Sequence, residues 1–567
     1  MSRTISLPRI DSLLPKTTRL ELDKKQIRIL CLLPGGWPDP IRCTLYTAYL
    51  DDLPHYEALS YAWGDPAIRK PIFVNGRVFH VTVNLEAALR RLRCPSKERH
   101  LWVDALCINQ ADIIEKSHQV NLMKKIYSNT KCAILWLGDY DEGSLLSALQ
   151  PSCYERAPSP CLSDYAKSGQ NPSRTTVVKA FSFLKLLARH EDLYSLIPSG
   201  DRSEEVAEFL ESVDDIYQVL NMPWWERIWT VQEALLPAQA VFQFGSMQLP
   251  RDEFVRGAEQ EKAIFLSAVV RGRYSDPLTY LEYIMGNDHY FYEILAMFRS
   301  RKANDPRDKV FALLGLVSED ELPFPADYTI PCHRVYTQTA TWMIRSSGTL
   351  EAIVRGAEGK RDPKLPSWVP DWSATGDHGT NALYRDGHIW AFIEYCLYDA
   401  AKGSDLHFDF SLETELKLKG FRVDIISGLL ERPRIPEIRQ TDHFQYLCSS
   451  CKAYQQAVLG ATTRQRGDRL YGSEQPYLSE ICLSDLENAQ LFITDTGLIG
   501  SGPRDTCVGD TVYIFSGGEM PFVVRSTHYQ REQGQQYFQY VGHAYVHGIM
   551  DGQAVTPDTE WTWITLV

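Results

Sequence analysis

YEALSYAWGD (Tyr56 to Asp65) and LWVDALCINQ (Leu101 to Gln110) are the two stretches that decide how this chain folds. Each opens as an apolar run of strand length and closes on polar residues suited to a turn. Between them lies LEAALRRLR, whose Leu85, Ala88, Leu89 and Leu92 recur at helical spacing, with Asn84 placed to cap it. After them a helix is expected from about Ile113 to Tyr127, with Gln119, Leu122, Met123 and Ile126 on one stripe, and CAILWLG supplies a third strand. Strand, helix, strand, helix, strand implies an α/β fold, a parallel sheet with right-handed crossovers and flanking helices. Ligands of such sheets collect beyond the carboxyl ends of the strands. The three expected strands finish there at Asp65, Asp104 and Gly138-Asp139. Taken singly, each aspartate is more simply a turn or cap residue.

Two hairpins flank this unit. QIRILCLLPG and IRCTLYTAYL are separated by GGWPDP, and PIFV and RVFHV flank Asn75-Gly76, whose residues tolerate the positive φ of a type I′ turn. Residues 1–24 read as an N-terminal segment, 25–250 as the α/β domain, with a Ser-, Pro- and Gly-rich insertion at about 142–201 around the helical VVKAFSFLKLLARH. Residues 251–375 read as mainly helical, with Asp305-Pro306 opening PRDKVFALLGLV, Arg307 and Asp308 as helix-start charges, and LPSWVPDWS as an ordered aromatic loop. Residues 376–567 read as a C-terminal α+β region whose β-rich end forms a small barrel or twisted sheet.

In WWERIWTVQEALLP, Pro223 opens an expected helix. A helical projection puts Ile228, Gln232, Trp225, Leu236 and Trp229 on one face, with Glu233 at its edge and Arg227 pointing away. A carboxylate against an indole is partly desolvated, which raises its pKa. Such groups cluster at functional sites, although a structural ion pair leaves the same trace.

Composition narrows the classes. The chain has 567 residues, 44% hydrophobic and 23% charged, a globular balance with room for several folded units. A net charge of -13 opposes nucleic-acid binding, which rests on clustered cations. No charge-free stretch of membrane-spanning length and no signal-peptide h-region stands in the sequence, so a cytoplasmic protein is expected. The 13 cysteines lack a disulfide framework, and Cys448 with Cys451 is a lone CxxC without a second pair. Glu115 and His118 read as surface or hinge polar groups rather than a metal pair, His543 and His547 as structural, and Cys107 as a buried small residue. No metal is expected. P-loop, HExxH, GxSxG and EF-hand patterns are missing from the sequence.

YEALSYAWGD, VTVNLEAALRRLR, LWVDALCINQ, EKSHQVNLMKKIY and AILWLGD, in that order and spacing, resemble the fungal heterokaryon-incompatibility (HET) domain. PWWERIWTVQEALLP, DPRDKVFALLGL, LPSWVPDWS and GDTVYIFSGGEMPFVVR extend the resemblance over most of the chain, with Lys116 departing from the arginine common in the family. The resemblance implies recognition of non-self in a filamentous fungus and a cell-death reaction triggered by a protein partner, with self-association through the α/β domain. A second resemblance, to TIR domains, aligns YEALSYAWGD and LWVDAL with their first two strands and WWERIWTVQE with the segment carrying their catalytic glutamate. It implies Glu233 as the catalytic group of a NAD glycohydrolase, with Ser60, Trp63, Asp65, Asp104 and Trp229 binding substrate. NAD would be a substrate, with no cofactor required. A non-catalytic signalling scaffold and a repurposed tailoring enzyme are the alternatives.

Overall fold

The computed structural model describes residues 20–140, 171–190, 203–268, 291–317, 324–354, 362–374, 398–430, 489–527 and 536–567. The lone CxxC, residues 1–19 and much of the 142–201 insertion lie outside them. The chain divides into two compact units, Met1–His289 with Ser300–Ile330, and Tyr290–Arg299 with Pro331–Val567.

The first unit is built on a nine-stranded sheet ordered β5-β4-β2-β1-β6-β3-β7-β8-β9. Its strands are β1 (Gln26–Leu32), β2 (Arg42–Tyr49), β3 (Glu57–Tyr61), β4 (Arg69–Val74), β5 (Arg77–Thr82), β6 (Arg99–Trp102), β7 (Ala133–Gly138), β8 (Ala240–Phe244) and β9 (Met247–Pro250). The four strands β6, β3, β7 and β8 are parallel to their neighbours in that set. Their order is second, first, third, fourth along the chain, a doubly wound arrangement whose direction switches between β3 and β7. β7 is buried at every residue, as a strand covered on both faces must be.

The sheet is mixed rather than parallel throughout. Both expected hairpins form, β1 with β2 and β4 with β5, and they join the same sheet, β1 pairing antiparallel with β6. Asn75 and Gly76 take the positive φ values that turn the second hairpin, 50° and 76°.

Of the three helices between β5 and β7, the first and third follow the expected pattern closely and the second departs from it. α1 (Val83–Leu92) buries Leu85, Ala88, Leu89 and Leu92. α2 (Asp104–Cys107) is a single turn, so LWVDAL leaves the strand conformation after Trp102. α3 (Ile113–Ser128) is capped by Asp112, whose carboxylate accepts from the Ile114 and Glu115 amides at 3.0 and 3.1 Å. Asn84 does not cap α1. Thr82 stands at the N-cap, while the Asn84 amide donates to the Ala62 carbonyl at 2.6 Å and accepts from Trp136 Nε1 at 2.9 Å. Two buried partners outcompete one cap, and they tie the ends of β3 and β7 together.

Glu115 is the largest correction to the sequence reading. It is buried and forms a two-pronged ion pair with Arg28, at 2.5 and 2.9 Å, while also accepting from the Asn109 amide at 2.7 Å. Arg28 donates further to the Cys107 carbonyl at 3.0 Å. The cluster pins β1, the loop after α2 and the first turn of α3 to one point. Its neighbour Lys116 lies 3.9 Å from the Tyr328 ring centre, a cation-π contact that an arginine would also make.

The helices Arg174–Arg189 and Arg251–Ala268 pack tightly on one another. At their crossing a Cβ on Gly257 would run into the Leu184 carbonyl. Gly257→Ala is therefore expected to cost about 1–3 kcal/mol, read as a lower urea midpoint at unchanged m-value. An unchanged midpoint would show that the two helices separate freely.

Asp305-Pro306 forms a turn before the helix Asp308–Leu314 rather than its cap. Arg307 and Asp308 are more than helix-start charges. Arg307 pairs with Asp305 at 2.7 Å and donates to the Tyr328 and Ile330 carbonyls, and buried Asp308 accepts from the Tyr328 hydroxyl at 2.5 Å.

In the second unit the long strand β11 (Glu415–Leu429) organises a barrel. β14 (Thr511–Phe515), β15 (Phe522–Ser526), β16 (Tyr537–His543), β18 (Thr562–Leu566) and β11 pair in succession, and β14 pairs back onto β11. The sheet closes on itself, which removes its edges. β12 (Ala489–Thr494), β13 (Ile499–Pro503) and β17 (Tyr545–Val546) extend from the far end of β11, and β10 (Phe408–Leu412) pairs with its start. Ile426, Phe492, Val512, Ile514, Val523 and Val546 form part of the core. The LPSWVPDWS loop is ordered, with Trp368 and Asp371 fully buried.

Candidate functional site

The carboxyl ends of β3 and β6 carry a buried polar cluster that includes four of the residues singled out in the sequence, Ser60, Trp63, Asp104 and Glu233. Its residues arrive from four places: Ser60, Tyr61 and Trp63 from β3 and the turn beyond it, Asp104 from α2, Tyr127 from α3, and Trp224, Arg227 and Glu233 from the segment before β8.

That segment is not one helix. Pro223–Glu226 is a 3-10 turn, Arg227 is extended with ψ 135°, and an α-helix resumes only at Thr230–Leu235. The break comes from pairing with the main chain at Lys302: its amide bonds the Glu226 carbonyl, and the Ile228 amide bonds its carbonyl at 3.0 Å. The expected helical face is therefore corrected, because its projection does not hold across Arg227. Arg227 points inward instead of away, donating to the Tyr61 carbonyl with its guanidinium 5.7 Å from the Trp63 ring.

Glu233 is 3% exposed and Ser60 1%. The Ser60 hydroxyl donates to Glu233 Oε2, and Trp224 Nε1 donates to Ser60 Oγ at 2.8 Å. The Tyr127 hydroxyl completes the carboxylate's partners. Beside it, half-buried Asp104 accepts from Trp63 Nε1 at 2.8 Å, from the Ala105 amide at 2.7 Å and from the Tyr61 hydroxyl. Burial pushes Glu233 up to about 7, with the Asp104 charge adding and Arg227, Ser60 and Tyr127 opposing. Asp104 is also raised, chiefly by burial, against the pull of Arg227 and the Trp63 hydrogen bond. Arg227 thus lies within electrostatic reach of both carboxylates and lowers both, while the Asp104 charge raises Glu233.

The sequence-derived candidates separate into two groups. Ser60, Trp63, Asp104 and Glu233 come together. Asp65 instead sits in an exposed turn, accepting from the Ala67 amide at 2.8 Å, and Trp229 hydrogen-bonds Asp308. Asp139 pairs with Arg91 at 2.8 Å. Tyr61, Tyr127, Trp224 and Arg227 complete the cluster without having been singled out for it. Tyr127 ends the buried stripe of α3 and was within reach of periodicity, but Trp224 and Arg227 depend on a chain break imposed by distant Lys302. Gln232 is buried and its Nε2 finds no hydrogen-bond partner.

Chemically, the cluster can hold a proton near neutral pH on a carboxyl sealed from water. A substrate reaches that carboxyl only after the covering side chains move. A groove elsewhere on this unit, lined by Trp37, Lys70, Phe73, Glu86 and Arg90, does not include Glu233. Cys107 is inert, fully buried with its thiol pushed up to about 12 by burial. Among the described residues no helix is long and apolar enough to cross a membrane.

Residues 56–233, which take in β3 to β7, α1 to α3 and the cluster just described, match the family described as heterokaryon incompatibility protein (HET). The chain carries a HET domain. Residues 437–561 match a second family, the Het-6 beta-barrel domain, a segment that takes in β12 to β17 but neither β11 nor β18. Over 93% of the chain and 94% of the relative, the sequence is 26% identical to heterokaryon incompatibility protein 6, OR allele, of Neurospora crassa. No solved structure matches. The HET segment begins at Tyr56, which donates to the Ile126 carbonyl at 2.6 Å, and ends on Glu233.

Proposed function

We propose that this protein acts in heterokaryon incompatibility in a filamentous fungus, recognising a non-self protein partner in the cytoplasm and triggering regulated cell death. The full-length likeness to a heterokaryon incompatibility protein, with HET and barrel segments in one chain, supports this role. The HET domain delivers the signal by self-association once the C-terminal region senses the partner. It does so without chemistry of its own. The observation that carries this reading is the enclosure of Glu233, whose carboxyl is engaged by Ser60 and Tyr127 and serves to hold the helix Thr230–Leu235 on the end of β3. The test is inducible expression in a fungal host with viability as readout. Wild type and Glu233→Gln are expected to kill alike, since glutamine keeps an acceptor for Ser60; loss of killing by a folded Glu233→Gln protein would overturn the reading.

The second reading is a TIR-type NAD glycohydrolase. It is favoured by β3 and β6 lying adjacent and parallel, with Asp104 and a Glu233 carboxyl of pKa about 7 gathered at their ends. After opening, such a carboxylate would orient the ribose hydroxyls and stabilise an oxocarbenium-like transition state. This reading requires Glu233→Gln to abolish both NAD cleavage and killing.

A further inference from the structure

A second group of titratable side chains lies at the joint between the first hairpin and the parallel strands, and nothing in the HET cluster uses it. Cys31 on β1 and His100 on β6 are direct cross-strand partners in the antiparallel pair. Glu98 stands just before β6, two residues from His100. Its two carboxylate oxygens reach in both directions, Oε2 lying 3.4 Å from Cys31 Sγ and Oε1 lying 3.3 Å from His100 Nε2. Sulfur, imidazole nitrogen and carboxylate oxygen all fall within 4.8 Å of one another.

We propose that Cys31, Glu98 and His100 form a zinc site. A tetrahedral zinc with bonds of ~2.1 Å to nitrogen and oxygen and ~2.3 Å to sulfur separates its ligand atoms by about 3.4–3.6 Å. Glu98 stands 3.3 Å from the nitrogen through one oxygen and 3.4 Å from the sulfur through the other, and the donor atoms lie within 4.8 Å of one another, so side-chain rotation has to draw them together around an ion. A thiolate, an imidazole and a carboxylate suit a borderline-soft ion better than calcium or magnesium, which take oxygen donors. A thiolate and a carboxylate also neutralise the two charges of zinc, and binding releases the Cys31 thiol proton to solvent.

The surroundings are those of a metal-ligating histidine. The Tyr46 hydroxyl sits 3.0 Å from His100 Nδ1 and its ring packs edge-on at 5.7 Å, which fixes the imidazole and leaves Nε2 facing Cys31 and Glu98. Thr44, the cross-strand partner of Cys31 on β2, places its hydroxyl on the sulfur. The Glu98 side chain is 58% exposed, so the fourth coordination position opens to water and ions have a way in. Sequence patterns miss this site because its ligands come from two strands separated by 67 residues and are assembled by sheet pairing.

The test uses the full chain without a polyhistidine tag, dialysed against chelator and titrated with zinc or cobalt. The expected result is one equivalent bound, a thiolate-to-cobalt charge-transfer absorption and a zinc-dependent rise in melting temperature. Cys31→Ser and His100→Gln should each remove the absorption and weaken zinc binding at least 100-fold. Tyr46→Phe, a change behind the ligand, should weaken it about tenfold. Exposed Glu98→Gln serves as a variant that leaves the fold intact, and it too should lose the stoichiometric site. Failure of the wild-type chain to bind stoichiometric zinc, or binding retained in both Cys31→Ser and Glu98→Gln, would overturn the proposal.

Discussion

Glu115→Ala is expected to destabilise the N-terminal unit by about 3–5 kcal/mol, the cost of breaking a buried ion pair from one side. Arg28 is 1% exposed, and the substitution leaves both of its donating nitrogens without their carboxylate while the Asn109 amide loses its acceptor. Against a total stability of about 5–15 kcal/mol, that is enough to leave a large unfolded fraction at physiological temperature. The check is urea unfolding followed through the tryptophans, with Lys302→Ala as control. Lys302 and Glu226 pair at 2.7 Å but are 71% and 51% exposed, so their loss costs under about 1 kcal/mol. A Glu115→Ala midpoint equal to that of the control would mean that Arg28 finds other partners. Glutamine at position 115 is also expected to be tolerated poorly, since its amide offers an acceptor to only one of the two Arg28 nitrogens that the carboxylate pairs.

Glu233→Gln is expected to remove a pH dependence of stability worth about 3 kcal/mol. The folded carboxyl titrates at about 7 and the free one at 4.5, and each unit is worth ~1.4 kcal/mol. A carboxyl whose folded pKa is raised binds its proton more tightly in the native state, so its contribution is fully present below about pH 4.5. It is lost as pH rises from there through about 7, and it is constant above. Wild type should therefore lose stability relative to Glu233→Gln between pH 5 and pH 8, whereas a parallel pair of pH profiles would place Glu233 in contact with water. Asp215, raised to about 6 by burial, titrates in the same window, and it cancels in the comparison because both proteins carry it.

Local pattern and tertiary pairing divide what the sequence made legible. The buried faces of α1 and α3, the Asn75-Gly76 turn and the fully apolar β7 follow from periodicity and turn chemistry, which act within a few residues. The mixed character of the sheet does not, because the antiparallel joint between β1 and β6 pairs strands 67 to 71 residues apart with no local signature. Asn84 shows a local preference losing to tertiary bonds, since the Ala62 carbonyl and the Trp136 indole claim the side chain that would cap α1. Arg227 shows the same at the site. Helical projection assumed continuity across WWERIWTVQE, and the backbone of Lys302 interrupts it, turning the guanidinium toward the two carboxylates. Glu233 was reachable because a carboxylate beside indoles stands out in any sequence. Its enclosure by Ser60 and Trp224 required the fold.

Nucleotide chemistry and scaffold signalling part at a single readout, the cellular NAD pool during killing. With wild type and Glu233→Gln expressed to equal levels in the same fungal host, NAD is measured before loss of viability. The account predicts a pool that stays at its starting level in both strains while both die. NAD depletion by wild type, abolished together with killing by Glu233→Gln, would contradict it and make the buried carboxyl a catalyst.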